Sequence, residues 1–125
     1  MKKIILIICF VLLACSAQAQ FKSGLDLYRG CLTFLSEDGN KKMTTDDILD
    51  FGYTVGYISG SNEINALYNS LYGKSFYCPP KEGMQYEQLA LILINYGKTH
   101  PKDLSETARV FFVVALKDSF PCPNE

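Results

Sequence analysis

The chain has 125 residues, twelve Lys and Arg against thirteen Asp and Glu, and a mean hydropathy of +0.05. That length holds one domain and excludes a multidomain enzyme, while the 48% hydrophobic content excludes a disordered chain. No basic surplus is available to neutralise phosphates, so nucleic acid is not an expected partner, and a single His leaves little for a His-rich metal site.

The N-terminus reads as a secretory leader. Lys2 and Lys3 precede an apolar run from Ile4 to Ala14, and Ala17-Gln18-Ala19 supplies the small-x-small pattern of a cleavage site. Eleven apolar residues are too few to span a bilayer as a helix. Residues 1–19 are therefore expected to be removed, leaving a soluble periplasmic chain, 20–125, with ten basic and thirteen acidic residues. Leu12-Leu13-Ala14-Cys15 is the rival pattern, a lipoprotein box that would instead anchor the protein by lipid at Cys15. No later apolar stretch is long enough for a membrane segment.

Four helical patterns follow. The first, 23–36, places Leu25, Tyr28, Cys31, Leu32 and Leu35 on one face, and Glu37 to Asn40 reads as a solvated turn. The second opens at Thr44-Thr45-Asp46-Asp47, a cap followed by acids that suits the positive end of a helix, and runs to about Ser70. Within it Gly52, Gly56 and Gly60 recur every four residues. Each glycine costs a helix up to about 1 kcal/mol relative to Ala, so the ridge predicts close helix packing. A neighbouring helix of the same chain is the expected contact, with a dimer seam as the alternative. Ser59, Ser61, Asn62 and Glu63 exclude a membrane dimer.

Gly73, Pro79, Pro80 and Gly83 mark 72–83 as a loop. The third helix, about 85–98, carries Tyr86, Leu89, Ala90, Leu93 and Tyr96 on one face; Leu91, Ile92 and Ile94 widen the stripe and predict a central position. His100-Pro101 ends it. The fourth, about 102–118, repeats Leu104, Ala108, Phe111, Phe112, Ala115 and Leu116 at helical spacing. The expected fold is all-α, a small bundle of about four helices stapled by one disulfide.

An exported chain reaches an oxidising compartment with Cys31, Cys78 and Cys122, which allow three pairings. Cys31 lies in an apolar stripe, where an unpaired thiol behaves as a small hydrophobe. Cys78 and Cys122 lie beside prolines outside the periodic segments, which favours Cys78–Cys122. Closing a loop of that length stabilises by roughly 4 kcal/mol on the chain-entropy account.

Catalytic patterns are lacking. His100 reads as a helix-end residue, and Asp46, Asp47 and Asp50 read as helix-start acids rather than metal ligands. Gly52-x-x-x-Gly56 lacks the Gly-Lys-Ser/Thr of a phosphate loop, and Glu82 and Glu87 read as ordinary exposed acids rather than a catalytic pair. The reading is a non-enzyme without cofactor or metal. Binding is the remaining function, and Tyr68, Tyr72, Lys74, Phe76 and Tyr77 form the candidate surface, rigid aromatics among polar neighbours.

From the first helix to the C-terminus the chain resembles the type VI secretion amidase immunity proteins, the Rap and Tai family. The resemblance rests on Leu27 and Cys31, on Gly52-Tyr53 with Gly56 and Gly60, on Tyr77-Cys78-x-Pro80, on His100-Pro101, and on Ala115-Leu116 with Phe120-Pro121-Cys122. It implies an exported helical protein that occludes the Cys–His cleft of a peptidoglycan amidase injected by sibling cells. It also implies the amidase as partner and a homodimer as an assembly. Two positions depart from the pattern. Asp50 stands where a second cysteine is usual, which leaves Cys31 without its customary partner and supports Cys78–Cys122; Pro79 stands where a leucine is usual. A small periplasmic chaperone of the acid-stress kind is the alternative reading: thirteen acids would swing its charge positive below about pH 4 and expose apolar surface to clients.

Overall fold

A computed structural model describes residues 23–36 and 43–123. The leader, the lipoprotein box and the turn at 37–40 lie outside the described residues. Among those described, the chain forms α1 (Gly24–Leu35), α2 (Thr45–Tyr72), α3 (Tyr86–Thr99), a 3-10 turn (Pro101–Ser105) and α4 (Ala108–Ser119). One isolated antiparallel bridge joins Ser23 to Thr107.

Local chemistry sets the helix starts. The backbone N–H and hydroxyl of Ser23 both donate to the Asp26 carboxylate, at 2.9 and 3.0 Å. Thr44 and Asp47 form a reciprocal box: the Thr44 N–H donates to the Asp47 carboxylate at 2.9 Å, and the Asp47 N–H donates to the Thr44 hydroxyl at 3.2 Å. Asp47, one of the acids expected at this end, therefore serves in the cap. α2 stops at Gly73, whose φ of 64° is left-handed and suits only a residue without Cβ.

The core forms where α1, α3 and α4 meet. Leu27 and Cys31, Leu89, Ala90, Leu93 and Ile94, and Phe111, Phe112, Ala115 and Leu116 are all buried. α3 touches the three other helices, as its wide apolar stripe predicts. α2 is different. Only Thr54, Ile58 and Asn65 of its 28 residues are buried, so it lies along the bundle with most of its circumference uncovered. It is held by the Phe34–Phe51 ring pair at 5.4 Å, by Tyr57 edge-on to Phe112 at 5.7 Å, and by Thr54 against Gly30.

Three sequence expectations need correction. The fourth helix does not begin near Lys102: Pro101 opens a 3-10 turn instead, and Glu106 is extended because its carbonyl accepts the Gly24 N–H at 2.7 Å. Leu104 thus reaches the core from the turn rather than from a helix. In α1 the stripe is rotated, so that Leu27 is buried and Leu32 exposed, because Gly24 and Gly30 are the points of closest approach to Phe111 and Thr54. The third concerns Gly52, Gly56 and Gly60: a Cβ at any of them would meet nothing within 4 Å. Among the described residues no helix packs on that ridge.

Candidate partner-binding surface

Cys78 and Cys122 form the one disulfide among the described residues, with Cα atoms 5.0 Å apart. The Cys78 N–H also donates to the Phe120 carbonyl at 2.9 Å, so the tail after α4 is fastened to the loop by covalent and hydrogen bonds together. Cys31 is free and fully buried, and that burial pushes its thiol up to about 12. Such a thiol stays protonated and unreactive at neutral pH.

The loop after α2 has a second anchor. Asn65 is 3% exposed, and its amide faces the loop backbone. Its carbonyl oxygen accepts the Phe76 N–H at 2.8 Å, and its NH2 donates to the Tyr77 carbonyl at 3.0 Å. The amide thereby copies a strand edge and fixes two consecutive loop residues. Tyr77 then turns inward: its ring is 1% exposed and lies edge-on to Phe112, and its hydroxyl donates to Asn62 at 3.1 Å. Burial raises the Tyr77 hydroxyl to about 12.

This overturns one predicted surface residue. Tyr77 is a core side chain that holds the loop, not a contact side chain. The other four lie together. Tyr68 stacks on Phe76 with centroids 4.7 Å apart and the rings within 18° of parallel, and Tyr72 lies 4.9 Å from Tyr68. Tyr72 is 65% exposed and Phe76 42% exposed, with the exposed Lys74 between them in the turn. The result is an aromatic knob in which the end of α2 and the doubly anchored loop after it contribute side chains that brace one another.

Beside the knob an open groove of about 900 Å³ runs between α2 and α4. Gly52, Gly56 and Gly60 form its floor, and Ile64, Leu67 and Val113 are among its apolar walls. Glu63 and Arg109 are its charged residues. Tyr57 lies in it with its hydroxyl raised by burial; a Ser61 hydrogen bond and the nearby Arg109 oppose that shift. No group of three or more His, Cys, Asp or Glu able to hold a metal occurs among the described residues. His100 caps α3 and stacks on Tyr96 at 4.2 Å, a helix-end role. Glu82 and Glu87 are both exposed.

Sequence reasoning missed Asn65 and the groove. Thr54, Ser61 and Asn65 share the inward face of α2 with Ile58, and a stripe that polar reads as solvent-facing. The exposed Ile64, Leu67 and Leu71 carried the opposite bias.

A family model described as Rap1a immunity proteins matches residues 23–122. No curated protein and no solved structure matches the chain. Among the described residues no helix is long and apolar enough to cross a membrane. The family match runs from the cap of α1 to the disulfide cysteine of the tail, taking in every described helix, and the chain belongs to the Rap1a immunity protein family.

Proposed function

We propose that the protein is exported to the periplasm and neutralises a peptidoglycan amidase delivered by type VI secretion, by seating its aromatic knob in the toxin's catalytic cleft. One observation carries this reading: Phe76, on a loop fixed by a buried amide and a disulfide, packs with Tyr68 and Tyr72 at the end of α2 as one braced aromatic cluster. Exposed aromatics held in one geometry are what interface hot spots are made of, and little ordering entropy is lost when they dock. Inhibition of this kind is stoichiometric and needs no chemistry from the inhibitor. It does need affinity, because an escaped amidase keeps cutting; nanomolar binding corresponds to about −12 kcal/mol.

The test is capture followed by inhibition. Tagged mature protein is incubated with periplasmic and secreted fractions of its own cells, and salt-resistant partners are identified by mass spectrometry. A captured amidase should stop releasing peptidoglycan fragments at one equivalent of the protein. The Tyr72→Ala, Phe76→Ala double variant should bind at least a hundredfold more weakly while keeping its helical circular dichroism. Equal inhibition by wild type and double variant would refute the knob, and a captured amidase that stays active would refute occlusion.

A further inference from the structure

The groove between α2 and α4 is polar at one end and apolar along the rest. α4 starts beside Tyr57, whose ring meets Phe112 edge-on at 5.7 Å, and ends at the loop, where the Phe120 carbonyl accepts the Cys78 N–H. The groove therefore runs from Arg109 at its head to Phe76 at its foot. Arg109 is exposed and close enough to Tyr57 to pull its hydroxyl down, and Ser61 hydrogen-bonds that hydroxyl. Past this cluster the lining is hydrocarbon. Ile64 and Leu67 are 60% and 55% exposed, and Val113 and Phe76 complete the walls. Glu63, the acid of the groove, lies two residues beyond Ser61 and so about 160° away around the helix.

We propose that this groove binds a fatty acid, with the carboxylate on Arg109 and the tail laid toward Phe76. One base at one end and hydrocarbon from there onward match the polarity of a single-chain amphiphile with an anionic head. A protein segment would instead meet polar groups along both rims. A guanidinium takes a carboxylate through two parallel N–H···O bonds, which fixes the head and leaves the tail one direction to follow. A cationic head on the same tail would face like charge.

Size fits the same ligand. The groove of about 900 Å³ falls within the ~300–1,000 Å³ of small-molecule sites, which are walled by apolar and aromatic side chains with few polar groups. From Tyr57 to Leu67 α2 advances ten residues, about 15 Å at 1.5 Å each. An extended chain covers about 3.5 Å in three bonds, so a tail of about twelve carbons fills that distance. Gly60 supplies the room: a Cβ there would meet nothing within 4 Å, and a larger side chain would stand in the path of the tail. The site does not depend on whether the knob meets an amidase.

Isothermal titration of the purified protein with dodecanoate, hexanoate and dodecyltrimethylammonium, each below its micelle concentration, tests the assignment. Dodecanoate should bind at one equivalent. Hexanoate, which fills half the length, and the cation should each bind at least tenfold more weakly. Arg109→Gln should weaken dodecanoate at least tenfold without weakening the cation, and Gly60→Leu should weaken both with unchanged helical circular dichroism. In methyl NMR spectra dodecanoate should shift Ile64 and Val113 and leave the buried Ile58 unmoved. No binding of dodecanoate at about 1 mM would overturn the proposal. Equal binding of the cation, or indifference to Arg109→Gln, would overturn the head, and indifference to Gly60→Leu would overturn the path of the tail.

Discussion

A single buried amide decides the shape of the loop after α2. Replacing Asn65 by Leu keeps the branched shape of the side chain but orphans the Phe76 N–H and the Tyr77 carbonyl, and each unsatisfied buried group costs about 1–3 kcal/mol. The expected loss is roughly 2–4 kcal/mol in urea unfolding, with toxin affinity falling in parallel because Phe76 loses its footing. Gly30 poses a different constraint. The Thr54 hydroxyl, held by the Asp50 carbonyl at 2.7 Å, occupies the space a Gly30 Cβ would need. Gly30→Ala should therefore destabilise by about 1–3 kcal/mol, the usual cost of overpacking, measured as a shifted urea midpoint with an unchanged slope. These two residues were illegible in sequence for one reason. An asparagine and a glycine report nothing about their partners, whereas a leucine advertises burial by its periodic neighbours.

At the scale of elements, legibility followed how much of each helix is buried. α3 and the second half of α4 are apolar enough that periodicity alone places Leu89, Leu93, Phe111, Phe112 and Leu116 inside, and there they lie. The 3-10 turn was hidden because Leu104 keeps helical spacing with Ala108, and only the pairing of Glu106 with Gly24 across the fold breaks the helix. α2 misled most. Its glycines imply a neighbour, and none is found among the described residues. The disulfide, by contrast, was readable because both cysteines sit beside prolines where no helix competes. Replacing Cys78 and Cys122 by Ala should lower stability by up to about 4 kcal/mol. Hydrogen exchange locates the loss: the Cys78 amide, bonded to the Phe120 carbonyl, should lose protection first while Leu93 and Phe112 keep theirs. Unchanged protection at Cys78 would mean that Asn65 alone holds the loop.

Across the whole molecule, three buried protons link stability to alkaline pH. Tyr77, Cys31 and Tyr96 are each pushed up to about 12, chiefly by burial, with Tyr96 also donating to Asp103 at 2.6 Å. Their ordinary values are 10.0 for the tyrosines and 9.0 for the thiol. The folded state thus binds these protons more tightly than the unfolded chain. Its advantage is complete below about pH 9 and is lost as pH rises through about 12. The thermal midpoint should stay level from neutral pH to about 9 and fall beyond it, and Tyr77→Phe should flatten part of that fall.

α4 also gives the molecule a direction. One end of it receives Ser23 through the bridge at Thr107, and the other delivers Phe120 to the loop at Cys78, about 18 Å away for twelve residues at 1.5 Å each. Ser23 therefore lies at the pole opposite the aromatic knob. A molecule held to a surface by that pole, whether by lipid or by a laboratory tether, would hold its knob outward like a hand at the end of a short arm. Anything fused after Pro123 would instead crowd the palm.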